Sequence, residues 1–318
     1  MKINKKNVIL VFGADGFIGT SLCQKLAFNN FKVLACIRKK NMEKVKRLSH
    51  RNINILEVGN LLILKKLKIY DKNNISTIIN LAAKAHTVEK KILNKDYLEK
   101  KSINIEKNIK NNLNNKSIPI IQISSAKVNK KNIIVNKKNY FTYSFMKLKS
   151  ENYIKENFKK YIILRPPLIF GPEVKANFLL LIKLINYGIP LPIKNLSNLR
   201  SYVYLENFTD LIMHIILKNK FTNRAYYVKD SQPISTTNLY IKITKYLNKK
   251  PRLFYLNQKI VLKILSLFNK KDVYEKIFQN FIVDNTKITK ELNWKPKYNL
   301  DIGIKKTCFW YKRRFNIK

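Results

Sequence analysis

Tyr143 and Lys147 stand four residues apart at the start of a segment typical of a helix. This spacing places both side chains on one helical face. A free phenol, with a pKa of about 10, is a weak base at neutral pH. An ammonium about 4 Å away, at an effective dielectric of about 20, would favour the phenolate by about 4 kcal/mol. We therefore expect Lys147 to lower the pKa of Tyr143, which would act as a general acid–base.

A serine pair precedes this helix, at the end of a predicted strand over residues 118–124. Lysine is abundant in the chain, so the Tyr143–Lys147 spacing alone is a weak signal. The serines strengthen it, because a serine hydroxyl at this strand end could hydrogen-bond a substrate oxygen and hold it against the phenol. We predict Tyr143, Lys147 and a serine of this pair as the catalytic residues.

Three of the 7 glycines follow the first predicted strand, residues 8–12, at three-residue intervals. Gly13 and Gly16 would form a tight turn whose backbone N–H groups can approach a pyrophosphate, and Gly19 would let the next helix pack against the strand. The N-terminus of that helix would present partial positive charge to the phosphates. This loop predicts a dinucleotide site. The residues between its glycines complete the predicted site: Asp15, Phe17 and Ile18.

The end of the second predicted strand, residues 31–37, bears on which dinucleotide would bind. A carboxylate at this place would hold the adenosine ribose diol of NAD. The strand is followed instead by Arg38, and no acid occurs before Glu43. A guanidinium can accept the 2′-phosphate of NADP. NAD and NADP therefore both remain open, with a slight preference for NADP.

Alternating strands and helices carry these residues. Strands are predicted over residues 8–12, 31–37, 53–58, 77–81, 118–124 and 161–164, and helices over 17–29, 96–115 and 143–158. Such alternation predicts an α/β fold with a doubly wound parallel sheet and helices on both faces. Sheets of this kind bind ligands at the carboxyl ends of their strands, at the switch in strand order.

The alternation loosens after Arg165, where prolines punctuate shorter elements. We expect residues 1–170 to form a dinucleotide-binding domain, with segments near 200–230 and 280–290 returning to it. Residues 171–318 would mainly form a smaller mixed C-terminal lobe that binds the substrate.

The formal net charge of +45 suggests a nucleic-acid partner. However, lysine and asparagine are spread along the whole chain, and no run of six or more like charges occurs, so compositional drift explains the charge better. We expect no specific nucleic-acid partner and at most a weak association with anionic surfaces.

The composition also limits the class of protein. The hydrophobic fraction of 46% is enough for a folded core. The 3 cysteines lie far apart, which excludes a disulfide scaffold and a cysteine zinc site. No apolar run is long enough to span a bilayer, and no metal-ligand cluster is visible. We expect a cytoplasmic protein without a metal.

These motifs together resemble those of the extended short-chain dehydrogenase/reductases. More narrowly, they are similar to the NAD-dependent epimerase/dehydratase family, in the branch of UDP-sugar 4-epimerases and 4-keto-sugar reductases. The matching stretches follow one another along nearly the whole chain: residues 13–19, 80–83, 123–129, 143–151, 164–172, 174–178, 200–204 and 291–296. The resemblance implies a Rossmann-type fold.

The resemblance also implies roles for single residues. Ser125 would polarise the sugar oxygen, Tyr143 would be the base and Lys147 its activator. Further contacts to the cofactor would come from Arg38, Asn60, Leu81, Ala82, Ala83, Asn104, Tyr143, Lys147 and Pro166. The substrate would be bound by Ser125 and His86 near the sugar, and by Asn177 and Arg200 at the nucleotide diphosphate.

The activity implied by the resemblance is an NAD(P)-dependent epimerisation at C4 of a UDP-hexose or UDP-N-acetylhexosamine through transient hydride transfer. One alternative is a C4 reductase of a UDP-4-keto-6-deoxy-hexosamine, and another is an inactive dinucleotide-binding scaffold. Ala126 and Lys127 stand where dehydratases carry an acid pair, which disfavours 4,6-dehydration. A homodimer formed through the helices at 96–115 and 143–158 is also implied.

Overall fold

Strands and helices alternate along the first two-thirds of the chain. The computed structural model describes residues 7–62, 74–82, 95–112, 117–128, 143–230 and 232–317, with residues 95–102 and 272 described by their backbone alone. The strands in these ranges are β1 (Val8–Phe12), β2 (Lys32–Ile37), β3 (Ile53–Glu57), β4 (Ile75–Asn80), β5 (Ile120–Ile123), β6 (Tyr161–Arg165), β7 (Leu168–Phe170), β8 (Tyr202–Tyr204) and β9 (Arg224–Tyr227). The helices are α1 (Phe17–Phe28), α2 (Met42–Arg47), α3 (Lys95–Asn111), α4 (Tyr143–Asn157), α5 (Ala176–Asn186), α6 (Leu205–Leu217), α7 (Thr236–Leu247), α8 (Gln258–Leu267), α9 (Lys271–Phe278), α10 (Thr286–Leu292) and α11 (Leu300–Arg314).

The main sheet has the strand order β3-β2-β1-β4-β5-β6-β9 in the described ranges, and every neighbouring pair is parallel. The chain leaves β3 at one edge and re-enters beside β1 as β4, so the strand order switches between β1 and β4. Phe12, the last residue of β1, pairs with Asn80, the last residue of β4. The predicted doubly wound parallel sheet is confirmed, and its switch point lies where the glycine loop begins.

Nearly continuous apolar runs form the inner strands because both faces of a parallel sheet are covered by helices. In β1, the four residues from Ile9 to Phe12 are buried, and β4 and β5 each carry paired isoleucines inside the sheet. One core cluster gathers side chains from these strands and from the helices that cover them: Leu10, Phe12, Leu34, Ile78, Ile109, Ile120, Ile154 and Ile163.

The chain divides into two compact units. The first comprises Met1–Pro166, Thr209–Val228 and Asn285–Trp294, and the second comprises Pro167–Phe208, Lys229–Asp284 and Lys295–Lys318. The main sheet and the glycine loop belong to the first unit. In the second unit, β7 and β8 form a two-stranded parallel sheet. Its core is aromatic, with the rings of Phe170 and Phe178 stacked at a centroid distance of 5.0 Å.

None of the helices in the described ranges is long and apolar enough to cross a membrane. The three cysteines, Cys23, Cys36 and Cys308, are buried free thiols. Burial raises the pKa of all three, to about 12 for Cys308. The thiols therefore serve as small apolar core residues.

Candidate active site

The glycine loop connects β1 to α1 at the switch point of the sheet. Gly13 has a φ of +74°, and a Cβ built on it would lie 2.9 Å from the amide nitrogen of Ala82. A Cβ on Gly19 would lie 2.2 Å from the carbonyl oxygen of Gly13. Neither position has room for a side chain, so this tight turn requires glycine at both places.

The start of α1 is available to an anion. Gly16 is its N-cap, no side chain caps this end, and no acid occurs in the first turn. The nearby carboxylate of Asp15 lies 2.7 Å from the ammonium of Lys44 on α2. Because this ion pair compensates the one acid of the loop, the positive end of the helix dipole faces no competing charge from Asp15. These features fit a pyrophosphate at residues 13–19.

Ser125, Tyr143 and Lys147 come together at the end of β5. Tyr143 is the first residue of α4, and its phenol is hydrogen-bonded to Ser125, two residues past β5. Lys147 follows one helical turn later and is buried, and its Nζ donates to the carbonyl oxygen of Ile123 at 3.0 Å. The structure thus joins the predicted catalytic residues through one hydrogen bond and one shared strand end.

The phenol of Tyr143 has its pKa raised by burial, and its hydrogen bond with Ser125 acts in the opposite direction. The prediction that the pKa of Tyr143 is lowered is therefore wrong for the protein by itself. The physical reason is that burial removes the water that would solvate a phenolate. Burial also lowers the pKa of Lys147, against the opposing effect of the carboxylates of Glu106 and Glu151.

A buried polar cluster beneath the site was not predicted from the sequence. The Oε1 atom of Glu106, on α3, accepts hydrogen bonds from Asn80 at 3.3 Å, Gln122 at 3.0 Å and Ser150 at 2.7 Å. The side-chain oxygen of Asn80 in turn accepts from the amide of Ala82 at 3.1 Å. The cluster therefore connects the helix that carries Lys147 with the turn that contacts Gly13.

A signal for this cluster is present in the sequence. Asn80 ends the apolar strand β4 and Gln122 interrupts the apolar strand β5, and the two are register partners in the β4–β5 pair. Two polar residues facing each other inside a sheet need a common polar partner, because a buried amide without one is costly. Glu106 supplies it.

A second buried carboxylate, Glu151, lies one turn beyond Lys147 on α4. It accepts two hydrogen bonds from the guanidinium of Arg165, at 2.8 and 2.5 Å, and one from the hydroxyl of Ser124 at 2.5 Å. Although burial opposes the charge on Arg165, these contacts with Glu151 raise its pKa. Both residues lie within motifs that carry the family resemblance, but no role had been predicted for either.

The other predicted cofactor residues of the first unit lie on several elements. Arg38 and Asn60 are exposed after β2 and β3, and the side-chain oxygen of Asn60 accepts from the amide of Leu62 at 3.1 Å. The remaining residues lie after β4, on α3 and after β6: Leu81, Ala82, Asn104 and Pro166. Ala83 and His86 lie outside the described residues.

The predicted diphosphate residues belong to the second unit. Asn177 is exposed in the first turn of α5. The guanidinium of Arg200 donates to the carbonyl oxygens of Glu275 at 3.2 Å and Gln279 at 2.6 Å. Arg200 is thus held by the backbone at the end of α9, which fixes the direction of its guanidinium.

In the described part of the chain, no group of three or more His, Cys, Asp or Glu side chains could hold a metal ion.

Comparison with known proteins gives a consistent result. Residues 9–228 match the model of the NAD dependent epimerase/dehydratase family. A UDP-glucose 4-epimerase from Vibrio cholerae is 27% identical to this chain over 318 residues, and the match covers 94% of each protein.

Solved structures share the fold at low sequence identity. A UDP-glucuronic acid 4-epimerase from Bacillus cereus in complex with NAD has a TM-score of 0.71 and 18% identity, with 98% of each chain covered. A dTDP-glucose 4,6-dehydratase from Bacillus anthracis in complex with NAD has a TM-score of 0.71 and 17% identity, with the same coverage of 98%. The Rossmann-type α/β architecture of this chain is therefore that of known sugar-nucleotide enzymes.

Proposed function

Because the chain belongs to the NAD dependent epimerase/dehydratase family, we propose that it is a nucleotide-sugar 4-epimerase with NAD as its cofactor and a UDP-hexose or UDP-N-acetylhexosamine as its substrate. The observation that carries the proposal is the hydrogen bond between Tyr143 and Ser125, one helical turn from the buried Lys147. This arrangement suits proton transfer at a sugar hydroxyl. The similarity to the Vibrio cholerae UDP-glucose 4-epimerase supports the choice of C4.

The residues of the first unit fit NAD. The pyrophosphate would lie on the backbone of residues 13–19, where Gly13 and Gly19 leave no room for a side chain. Ala82, beside Gly13, would face the cofactor, and Tyr143 and Lys147 would flank its reactive end. When bound, NAD supplies a hydride acceptor and donor for C4, so that a transient 4-keto sugar can be reduced on either face.

Ser125 and Tyr143 would share the work at the sugar. Ser125 would hold the C4 oxygen by a hydrogen bond, and Tyr143 would take the hydroxyl proton and later return it. Because burial raises the pKa of Tyr143, its phenol is a poor base until a positive charge stabilises the phenolate. We propose that Lys147, one turn along the same helix, contributes part of that charge once the cofactor is bound.

The loop after β5 argues against sugar 4,6-dehydration. Ala126 and Lys127 follow Ser125, so residues 124–128 contain no carboxyl group that could assist elimination of water.

For binding of the nucleotide diphosphate we propose Asn177 and Arg200. A guanidinium whose direction is fixed by carbonyl groups suits the oxygens of a diphosphate.

Incubation of the purified protein with a panel of UDP-sugars, with and without added NAD(P)H, tests the proposal. We expect cofactor to remain bound through purification and the C4 epimer to form without added reductant, as followed by NMR of the sugar. Stoichiometric consumption of NAD(P)H with a 4-keto sugar would instead indicate a reductase. Absence of turnover with bound NAD would indicate a scaffold.

NAD and NADP are distinguished with protein from which the bound cofactor has been removed. Arg38 is exposed just after β2, where a guanidinium could accept a 2′-phosphate. Titration of the apoprotein with each dinucleotide, before and after Arg38→Ala, gives the preference. A role for Arg38 in binding the 2′-phosphate predicts that this substitution weakens NADP binding and leaves NAD binding unchanged.

A further inference from the structure

We propose that Tyr227, acting with Arg165 and Glu151, positions the loop that carries Ser125. This loop comprises residues 124–128, and we call it the serine loop. The inference rests on the proposed function, because positioning matters only if Ser125 contacts the substrate. Tyr227 itself would touch neither substrate nor cofactor.

The first end of the serine loop is held by buried charge. Ser124 donates its hydroxyl to Glu151 at 2.5 Å, and Glu151 is fully buried and bidentate to Arg165. A bidentate pair of this kind fixes the orientation of both planar groups. The hydroxyl of Ser124, the residue before Ser125, therefore has one favoured direction.

The far end of the serine loop is held by Tyr227, the last residue of β9. Its hydroxyl donates to the carbonyl oxygen of Val128 at 2.8 Å, and Val128 is buried. Arg165 reaches the same hydroxyl at 3.4 Å, and its guanidinium carbon lies 5.2 Å from the centre of the Tyr227 ring. One guanidinium thus connects the two anchors of the loop.

Between these anchors, the main chain of the loop follows β6. The amide of Ser124 donates to the carbonyl of Leu164, and the amide of Ala126 donates to the carbonyl of Pro166, both at 2.8 Å. The hydroxyl of Ser125 lies between these bonds and also accepts from the amide of Lys127 at 3.2 Å. A shift of Val128 would therefore be transmitted to the turn that aims Ser125 at Tyr143.

Tyr227→Phe is the informative variant, because it removes the hydroxyl and keeps the ring beside Arg165. Its matched control is Tyr226→Phe on the same strand, where the hydroxyl contacts Thr222 and Glu291 instead of the serine loop. Each variant loses one hydroxyl from β9. We expect similar melting temperatures for the two variants. Because a purely structural role of Tyr227 would give the same result, the melting temperature serves only as a check on folding.

Their kinetics should differ. We expect Tyr227→Phe to lower kcat by roughly tenfold with KM unchanged, because small displacements of a catalytic group are costly to the rate. Tyr226→Phe should stay within about twofold of the wild type, as expected for a hydroxyl remote from the reacting atoms. Adding Tyr227→Phe to Ser125→Ala should cause no further loss, because a positioning residue has nothing left to position.

Hydrogen exchange gives a readout that does not need turnover. Tyr227→Phe, but not Tyr226→Phe, should speed amide exchange in residues 124–128. Unchanged exchange, an equal kcat loss in both variants, or an additive loss on the Ser125→Ala background would overturn the inference. Faster exchange in a protein that converts no UDP-sugar would instead refute the proposed function and leave the loop anchor established.

Discussion

The ammonium of Lys147 donates a hydrogen bond to the carbonyl oxygen of Ile123 across 3.0 Å. Ile123 ends β5 and lies two residues before Ser125, so this bond ties the first turns of α4 to the strand end that carries the serine. Tyr143 lies on α4 and Ser125 follows β5, and this hydrogen bond holds the helix and the strand end together. A buried ammonium needs such compensation, which the carbonyl and two nearby carboxylates provide.

Tyr143→Phe should strongly reduce turnover while the cofactor still binds. The ring and its packing remain, and only the hydroxyl proposed to transfer the proton is lost, so we expect kcat to fall by roughly 10²–10⁴-fold. Turnover of a UDP-sugar and titration with NAD measure the two effects separately. Tyr153→Phe, on the same helix, is the control and should keep near-normal kcat. Wild-type turnover by Tyr143→Phe would show that the base is another residue.

Glu106→Gln should move the alkaline limb of the pH–rate profile to lower pH. The carboxylate of Glu106 opposes the lowering of the pKa of Lys147 that burial causes. Without its charge, the pKa of Lys147 falls further, so the ammonium is lost at a lower pH. The amide oxygen of the substituted side chain can still accept the three hydrogen bonds made to Oε1.

The measurement is kcat across neutral and alkaline pH. Glu156→Gln removes an exposed carboxylate from α4 and should leave the profile in place. An alkaline limb that does not move in Glu106→Gln, while the protein stays folded, would mean that Lys147 does not set that limb.

The first six strands, and the helix that places Tyr143 one turn from Lys147, were predictable because each depends on a short-range pattern. Apolar runs predicted β1 to β6, and the Tyr143–Lys147 spacing alone placed two side chains on one helical face.

The C-terminal ends of helices were harder to predict from the sequence. Asn248 and Asn293 end α7 and α10 in the left-handed conformation, with φ of 56° and 51°. Glycine is the usual residue in this conformation at the end of a helix. This chain has only 7 glycines and uses asparagine instead, and because asparagine occurs along the whole sequence it does not mark a helix end.

The buried polar cluster was not predictable from local pattern. Glu106 lies in a helix rich in lysine and asparagine, where an acid suggests a solvated face. Its partners Asn80 and Gln122 are 26 and 16 residues away in the sequence. Only the pairing of β4 with β5, and the packing of α3 on them, brings the three together. The pKa of Tyr143 was mispredicted for the same reason, because burial is a tertiary property.

Gly13→Ala should disrupt both stability and NAD binding, and Gly59→Ala is its matched control. Both glycines have positive φ, +74° and +64°, so each substitution carries a similar backbone strain of about 1–2 kcal/mol. Only the new Cβ at position 13 would meet backbone, at 2.9 Å from Ala82, whereas nothing lies within 4 Å at position 59. We expect Gly13→Ala to be the more destabilised in urea and to lose NAD affinity. Equal losses of stability and of NAD affinity in the two variants would show that the contact between position 13 and Ala82 is not important.

Asp230→Asn should remove a pH dependence of stability. Asp230 is 8% exposed, and burial raises its pKa from 3.8 to about 7, against the hydrogen bond from the amide of Tyr204. A carboxyl whose pKa is higher in the folded state stabilises the fold below its unfolded pKa.

This contribution of Asp230 is lost as the pH rises from 3.8 to about 7, by roughly 1.4 kcal/mol for each unit of difference. The amide oxygen introduced by Asp230→Asn can still accept from Tyr204, so the variant keeps that bond without the cost of ionisation. Urea unfolding at a series of pH values should therefore show the variant gaining stability over the wild type between acidic and neutral pH, and a constant gain above pH of about 7. A difference in unfolding free energy that does not change with pH would mean that Asp230 ionises normally in the folded protein.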